Sequence, residues 1–508
     1  MPSLKRNVIF NYVGQFYVGF IGIAILPLYL KYLGPEEYGL IGIFTLIQAW
    51  MQILDFGLSP TLSKEIASRD KNNSLNKIRT LIRSLETIFI GIALVAGTAI
   101  ISGSDWISSN WLKLHEVPVE TASLCIIIMG LIIAVRWPVS LYKSGINAYE
   151  HQVTQNIITI IIITLRFPLT LALVMYGKID IVDYFIAQLL ISILELFLFR
   201  IKLYQLLPKS LNKIPLFSRS EIKRVAPFAL SVAYTGFLWV IATQVDKLIL
   251  SSTLTLKDYG FFTLVASICS AIVVISAPIS TAILPRLISN LSQGKHNEML
   301  KLYRSSSRLV TCILAPLVIV IAMYPFELVY AWTGNHDAAA WTKNILPLFI
   351  IGNGLIALTS FPSYMQYAHG NLKINIIFNS ITTILFIPIM YYAAVNYGPI
   401  GAGYAWVTFR AISLFALSYI VHNTFSKTIT AKWLIQDISL PIFTAVILAL
   451  IWNSISNGQL PKEGILVFIS LGLIISFMSA LTLIFSFPKQ TTNALRKIIY
   501  KAKKGILK

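Results

Sequence analysis

The chain has 508 residues, of which 56% are hydrophobic and only 12% charged, and its mean hydropathy is +0.74. Those values exclude a soluble globular enzyme and a disordered chain, and they fit a membrane protein in which apolar stretches of about 20 residues recur from end to end. The net charge of +20 would suit nucleic acid, but the positive residues gather in alternate loops, a pattern of membrane orientation rather than of a nucleic-acid surface.

Fourteen spans are expected, at about 8–31, 38–62, 80–101, 122–142, 154–176, 182–203, 225–252, 259–284, 306–332, 344–368, 374–394, 400–422, 438–456 and 464–487. The first follows Lys5 and Arg6 and contains Pro27; it lacks the short apolar core and small-residue cleavage site of a signal peptide and is read as a retained helix. Of the 41 Lys and Arg, 31 fall at the N-terminus, in the even-to-odd connections or just inside the span ends beside them, and in the C-terminal tail. Six (Lys31, Lys113, Lys178, Lys257, Lys343, Lys462) lie on the other side, and four (Arg136, Arg166, Lys247, Arg410) lie within spans. This asymmetry predicts cytoplasmic termini, and acidic residues such as Glu36, Glu37, Asp105 and Asp337 fit the opposite face. The basic tail, 489–508, reads as an anchor on anionic lipid or as a solvated tail. Cys125, Cys269 and Cys312 fall in apolar runs and are expected to be buried packing residues. The six histidines show no metal or catalytic spacing and are expected at the surface or the membrane interface.

The chain also matches itself at a shift of 221 residues: Leu33 with Leu254, Glu37 with Asp258, Tyr38 with Tyr259 and Gly39 with Gly260. Ala148 and Ala368, and Pro168 and Pro388, match at a shift of 220. Two halves of six helices follow, and an even number gives both halves the same orientation in the membrane. The expected architecture is therefore an all-α polytopic membrane protein with two parallel six-helix lobes around a central cavity, plus two C-terminal helices. Its divisions are an N-lobe at 1–203, a basic cytoplasmic linker at 204–224, a C-lobe at 225–423, two further helices at 424–488 and the tail at 489–508.

Seven charged residues sit where they are costly, since a charge near the bilayer centre costs at least ~2.5 kcal/mol on insertion scales. They are Asp55, Arg136, Arg166, Glu195, Asp246, Lys247 and Arg410, and none recurs in the other half of the repeat. A duplicated scaffold with unduplicated charges favours function over architecture. Guanidinium stays protonated and can hold phosphate oxygens in a fork, so Arg136, Arg166 and Arg410, with Lys247, are candidate ligands for a phosphate-bearing substrate. Pro138 and Pro168 each follow an arginine by two residues, where a broken helix can open onto a cavity. Asp246 and Lys247 point about 100° apart on a helix, so each is expected to have a separate partner. Asp55, Glu195 and Asp246 are candidates for proton or Na⁺ coupling, with structural ion pairing as the alternative for every one of these charges.

The segment Tyr32, Leu33, Gly34, Pro35, Glu36, Glu37, Tyr38, Gly39, together with Asp55, Phe56, Gly57 and the run to Ala67, resembles the N-terminal signature of the polysaccharide-biosynthesis flippases. These are the O-antigen (Wzx-type) group of the MOP, or MATE-like, transporter superfamily. The specific likeness covers the first two helices and the following loop; helix number and two-lobe layout extend it along the chain. It implies that undecaprenyl-pyrophosphate-linked oligosaccharide, an O-antigen or related surface-polysaccharide unit, is moved from the cytoplasmic to the periplasmic leaflet of the inner membrane by alternating access. It also implies a proton or Na⁺ gradient rather than a cofactor as the driving force, and as partners membrane lipids, a polysaccharide polymerase and a chain-length regulator. Family members commonly carry Arg after the Asp-Phe-Gly segment; here Lys64 keeps the charge without the fork and is a candidate for a cytoplasmic gate.

Other readings stay open. Lipid II or another lipid-linked glycan is an alternative cargo. A cation or drug exporter of the same fold would be expected to carry a carboxylate-rich cavity, and a membrane polymerase or ligase a large external loop with an acid or base. No Gly-x-x-x-x-Gly-Lys-Ser/Thr pattern is present, so ATP hydrolysis by that route is not expected, nor is catalysis of any kind.

Overall fold

The computed structural model describes residues 4–67, 75–207, 217–427, 429–457, 460–461 and 464–487. The middle of the expected linker (208–216) and the basic tail from Lys489 onward lie outside the described residues. Among the described residues there is no strand; one isolated bridge joins Lys113 and Thr255. The helices are α1 Leu4–Ala24, α2 Leu26–Leu33, α3 Pro35–Met51, α4 Leu58–Ala67, α5 Leu75–Ser102, α6 Val119–Ala148, α7 Gln152–Thr164, α8 Thr170–Gly177, α9 Ile181–Leu206, α10 Arg219–Thr253 and α11 Leu256–Ser292. They continue as α12 His296–Met323, α13 Pro325–Thr333, α14 Leu346–Ala368, α15 Lys373–Phe425, α16 Leu440–Ser456 and α17 Gly464–Ser486.

Among the described residues twelve helical stretches have the length and apolar composition to cross a membrane. The longest, α15, has 53 residues and breaks at Gly398 (φ 63°, ψ −157°), so it comprises two crossing-length segments. α11 has 37 residues, more than the ~20 a bilayer core requires. Each of the fourteen expected spans falls on helix.

Several spans are broken rather than straight. α1 passes to α2 at Ile25, where Leu26 and Pro27 open a new first turn, and α12 passes to α13 at Tyr324 in the same way before Pro325. α3 ends in a 3₁₀ turn, Gln52–Asp55, and the chain then takes left-handed dihedrals at Phe56 (φ 48°) and Gly57 (φ 68°) before α4. α7 and α8 are joined by a π-helical turn, Leu165–Leu169, which accommodates Pro168. α6, by contrast, runs unbroken through Pro138, so the opening expected there does not occur.

The chain divides into two compact units, Met1–Thr263 and Leu264–Lys508. In the first, the segment after α5 is tied down by Glu36, whose carboxylate accepts from the backbone N–H groups of His115 (2.6 Å), Glu116 and Val117 (3.1 Å). Glu36 is only 2% exposed, so it is a structural clamp rather than the surface acid its sequence position suggests. The same segment is fastened to the end of α10 by Lys113 Nζ on the Thr253 carbonyl (2.7 Å) and by Trp111 Nε1 on Ser251 Oγ (3.0 Å).

In the second unit the last two helices pack on α12. Asp437, in the π-helical turn Trp433–Ser439, is buried between Arg304 (2.6 Å) and Arg308, and Arg308 also donates to the Ser486 carbonyl (2.9 Å) at the end of α17. Val320, Tyr324, Ala449, Leu471, Ile474 and Met478 form the apolar cluster above it. All three cysteines are free and buried, as their apolar surroundings predicted. His422 departs from expectation: it is fully buried and bonded to Tyr303 Oη at 2.8 Å, because α15 carries it against the neighbouring aromatic ring of Trp433.

Candidate functional site

Two polar stripes face each other inside the first unit. On α6, Arg136, Ser140 and Lys143 follow one another at four and three residues; on α9, Gln188, Ser192 and Glu195 have the same spacing. Such spacing stacks side chains on one helix face, and α6 packs against α9, so the stripes meet.

The meeting point is Glu195. Lys143 Nζ binds its Oε1 at 2.7 Å, while Arg166 Nη2 and Arg136 Nε share Oε2 at 2.9 and 3.3 Å. Arg166 comes from the π-helical turn, which turns its guanidinium toward α9, where Gln188 (3.4 Å) and Ser192 (3.2 Å) accept from it as well. Gln188 returns a bond from Nε2 to the Arg166 carbonyl at 2.9 Å. Arg136 sends Nη1 to Gln48 Oε1 on α3 at 2.7 Å. Three cations thus converge on one carboxylate.

Beside this cluster lies a cavity of about 410 Å³ lined by Gln48, Met51, Gln52, Asp55, Ile133, Arg136, Trp137, Val139, Ser140, Lys143 and Glu195. Asp55 enters it from the end of the 3₁₀ turn and accepts from Ser59 Oγ at 2.6 Å; Ser59 in turn reaches Ser140 Oγ at 3.2 Å. The broken second span is what brings Asp55 inward, since the left-handed residues after it redirect the chain.

Of the residues singled out from sequence, Asp55, Arg136, Arg166 and Glu195 are therefore brought to one place. Asp246, Lys247 and Lys64 lie elsewhere in the same unit. Asp246 is buried, and Lys247 Nζ lies 3.5 Å from it and 2.7 Å from the Thr243 carbonyl, so the adjacent pair do reach each other. The lysine's long, flexible stem folds back over the helix and removes the angular separation that argued for separate partners. Lys64 stands over the ring of Phe228 at 3.8 Å, next to an ion pair of Glu65 and Arg224 at 2.7 Å. Arg410 belongs to the second unit, where its guanidinium lies over Trp406 (4.2 Å) and Phe386 (5.8 Å). Gln48, Ser140, Lys143, Gln188 and Ser192 were not singled out; the repeated four-then-three spacing on two helices was the signal that could have found them.

The fold is one shared with solved transporters. A structure of the Lipid II flippase MurJ, in an inward closed conformation, superposes with a TM-score of 0.69, covering 95% of this chain and 100% of that one at 15% identity. An inward-facing multidrug resistance MATE family transporter of the MOP superfamily gives 0.65, with 82% and 96% covered at 15% identity. The class is thus a multi-pass helical membrane protein with the fold of those structures. Sequence gives the narrower placement: a family model described as polysaccharide biosynthesis protein matches residues 4–291, and the chain belongs to that family. A Shigella flexneri protein named "Putative O-antigen transporter" is 24% identical over 420 residues, spanning 80% of this chain and 94% of that one.

Proposed function

We propose that this protein is a flippase for undecaprenyl-pyrophosphate-linked oligosaccharide, an O-antigen or related surface-polysaccharide unit, carrying it from the cytoplasmic to the periplasmic leaflet by ion-coupled alternating access. The observation that carries the reading is the cavity beside Glu195 in the first unit, with three cations gathered on that carboxylate. Cations are retained among packed helices only with a function or a partner, and Arg136, Lys143 and Arg166 set against Glu195 and Asp55 leave one positive charge beyond pairing. A pyrophosphate suits the excess, the polyprenyl tail can stay in lipid, and the sugar crosses without entering hydrocarbon.

In this reading Arg136 and Arg166 act on the pyrophosphate, with Arg410 and Lys247 as further cationic positions. Asp55 and Asp246 are the carboxylates for proton or Na⁺ coupling, and Lys64, over Phe228, serves a cytoplasmic gate. The membrane is the bacterial inner membrane with both termini cytoplasmic, as the charge asymmetry supports; a polymerase and a chain-length regulator are the expected partners. The fold shared with a lipid II flippase supports a second reading in which the cargo is lipid II or another lipid-linked glycan.

The test is depletion of the protein in its host. Lipid-linked oligosaccharide should accumulate in the cytoplasmic leaflet, protected from a membrane-impermeant glycan-cleaving reagent added to spheroplasts, while surface glycan is lost. Unchanged surface glycan and no protected intermediate would falsify the reading; accumulation of lipid II instead selects the second.

A further inference from the structure

We propose that Glu195 is a resident stand-in for the substrate's phosphate: in the empty cavity it neutralises Arg136 and Lys143, and an incoming pyrophosphate displaces it from both while Arg166 keeps it. This rests on the flippase reading and revises it at one point: Arg166, a phosphate candidate there, becomes the mount of Glu195, and Lys143, which the sequence did not single out, joins Arg136 on the pyrophosphate.

The three partners differ in freedom. The Arg166 side chain is 6% exposed, against 29% for Arg136 and 31% for Lys143, and only the latter two line the cavity. Arg166 is also bound to Gln188 and Ser192, from the same α9 face that carries Glu195, so it and the carboxylate form one fixed assembly. Arg136 is held loosely by comparison. It meets Glu195 through Nε alone at 3.3 Å and directs Nη1 to Gln48, leaving its fork unused for the carboxylate.

Charge makes the exchange work in both directions. The lining holds Arg136 and Lys143 against Asp55 and Glu195, so the empty cavity is close to neutral, with Arg166 as the additional cation behind it. Without Glu195 three cations would stand close together, the buried Arg166 among them with no carboxylate partner, which is costly. A pyrophosphate diester carries about two negative charges and more acceptor oxygens than one carboxylate, so it can outcompete Glu195 for a guanidinium fork and an ammonium. When it leaves, the carboxylate on its fixed mount reclaims both cations. An uncharged glycan has no means of making the exchange.

Undecaprenyl pyrophosphate, titrated onto protein in nanodiscs, tests this, with thermal unfolding as the check on folding. R136Q and K143Q should each weaken binding at least tenfold. E195Q should bind roughly tenfold more tightly and release more slowly, the factor expected when one competing charge-assisted hydrogen bond is removed. E195Q binding equal to or weaker than wild type, in folded protein, overturns the proposal. If E195Q alone does not fold, the comparison of E195Q/K143Q with K143Q replaces it: tighter binding in the double variant supports competition for Arg136, and no gain overturns it. Absence of binding by wild type, or unchanged binding in both R136Q and K143Q, removes the flippase reading at this site and the stand-in with it. Wild-type binding weakened by those two variants but untouched by E195Q leaves the flippase reading standing and overturns the stand-in alone.

Discussion

Gly39 and Gly260, which are equivalent in the 221-residue repeat, touch each other at the starts of α3 and α11. A Cβ on Gly260 would lie 2.6 Å from the Pro35 carbonyl and 3.2 Å from the Gly39 nitrogen, and one on Gly39 would collide with the Leu256 carbonyl. Their neighbours Tyr38 and Tyr259, also repeat equivalents, are buried beside them. Two copies of one local sequence thus meet at a backbone contact that only glycine allows.

G260A and G260V should each prevent the close approach, at a cost of ~1–3 kcal/mol for forced overpacking. Thermal unfolding checks this, and an unchanged midpoint in G260V would show that the contact can widen without cost.

Glu36 clamps three backbone N–H groups. E36A leaves them without their carboxylate and should lower stability by ~2–3 kcal/mol, given the strength of hydrogen bonds to charged acceptors. Hydrogen exchange should rise selectively at 115–117, which a general loss of folding would not reproduce.

Arg166 and Arg136 should separate into a stability and a transport defect. R166Q breaks a buried ion pair and should cost ~3–5 kcal/mol in thermal unfolding. R136Q, at a partly exposed side chain, should leave unfolding within ~1 kcal/mol of wild type yet abolish surface glycan. Equal unfolding shifts in the two variants would contradict the division.

Asp437 is the carboxylate shared by Arg304 and Arg308. D437N should destabilise the second unit by ~3–5 kcal/mol, since two arginines lose their buried partner, and it should release α16 and α17 to limited proteolysis near residue 430. An unaltered digestion pattern would mean the apolar cluster alone holds those helices.

Coupling is tested at Asp246. D246N should reduce flipping driven by an imposed proton gradient in proteoliposomes while leaving counterflow intact. Unchanged dependence on the gradient removes this residue from the coupling mechanism.

Much of the architecture was legible because a bilayer imposes its demands locally. Every crossing needs a long apolar run, whatever its neighbours, so all fourteen spans were visible as stretches of chain. The repeat was visible for a related reason: Gly39 and Gly260 are glycines because each is pressed against backbone, and that constraint survives in both copies. Lys143 was overlooked because it stands just beyond the apolar run of its span, although α6 continues to Ala148 and carries it to Glu195. The clamp at Glu36 was not legible, since nothing in its own segment tells of the distant N–H groups at 115–117.

The sequence by itself determined where the chain crosses the membrane, that its scaffold is duplicated and that its buried charges are not. Only the tertiary structure decided which of those charges meet. Arg136, Arg166 and Glu195 lie on three separate helical segments, and their pairing depends on helix packing and on a π-helical turn that re-aims one guanidinium. Hydropathy is a property of each residue in turn. An ion pair is a distance of a few ångströms between residues far apart in the chain, and the packed fold alone sets it.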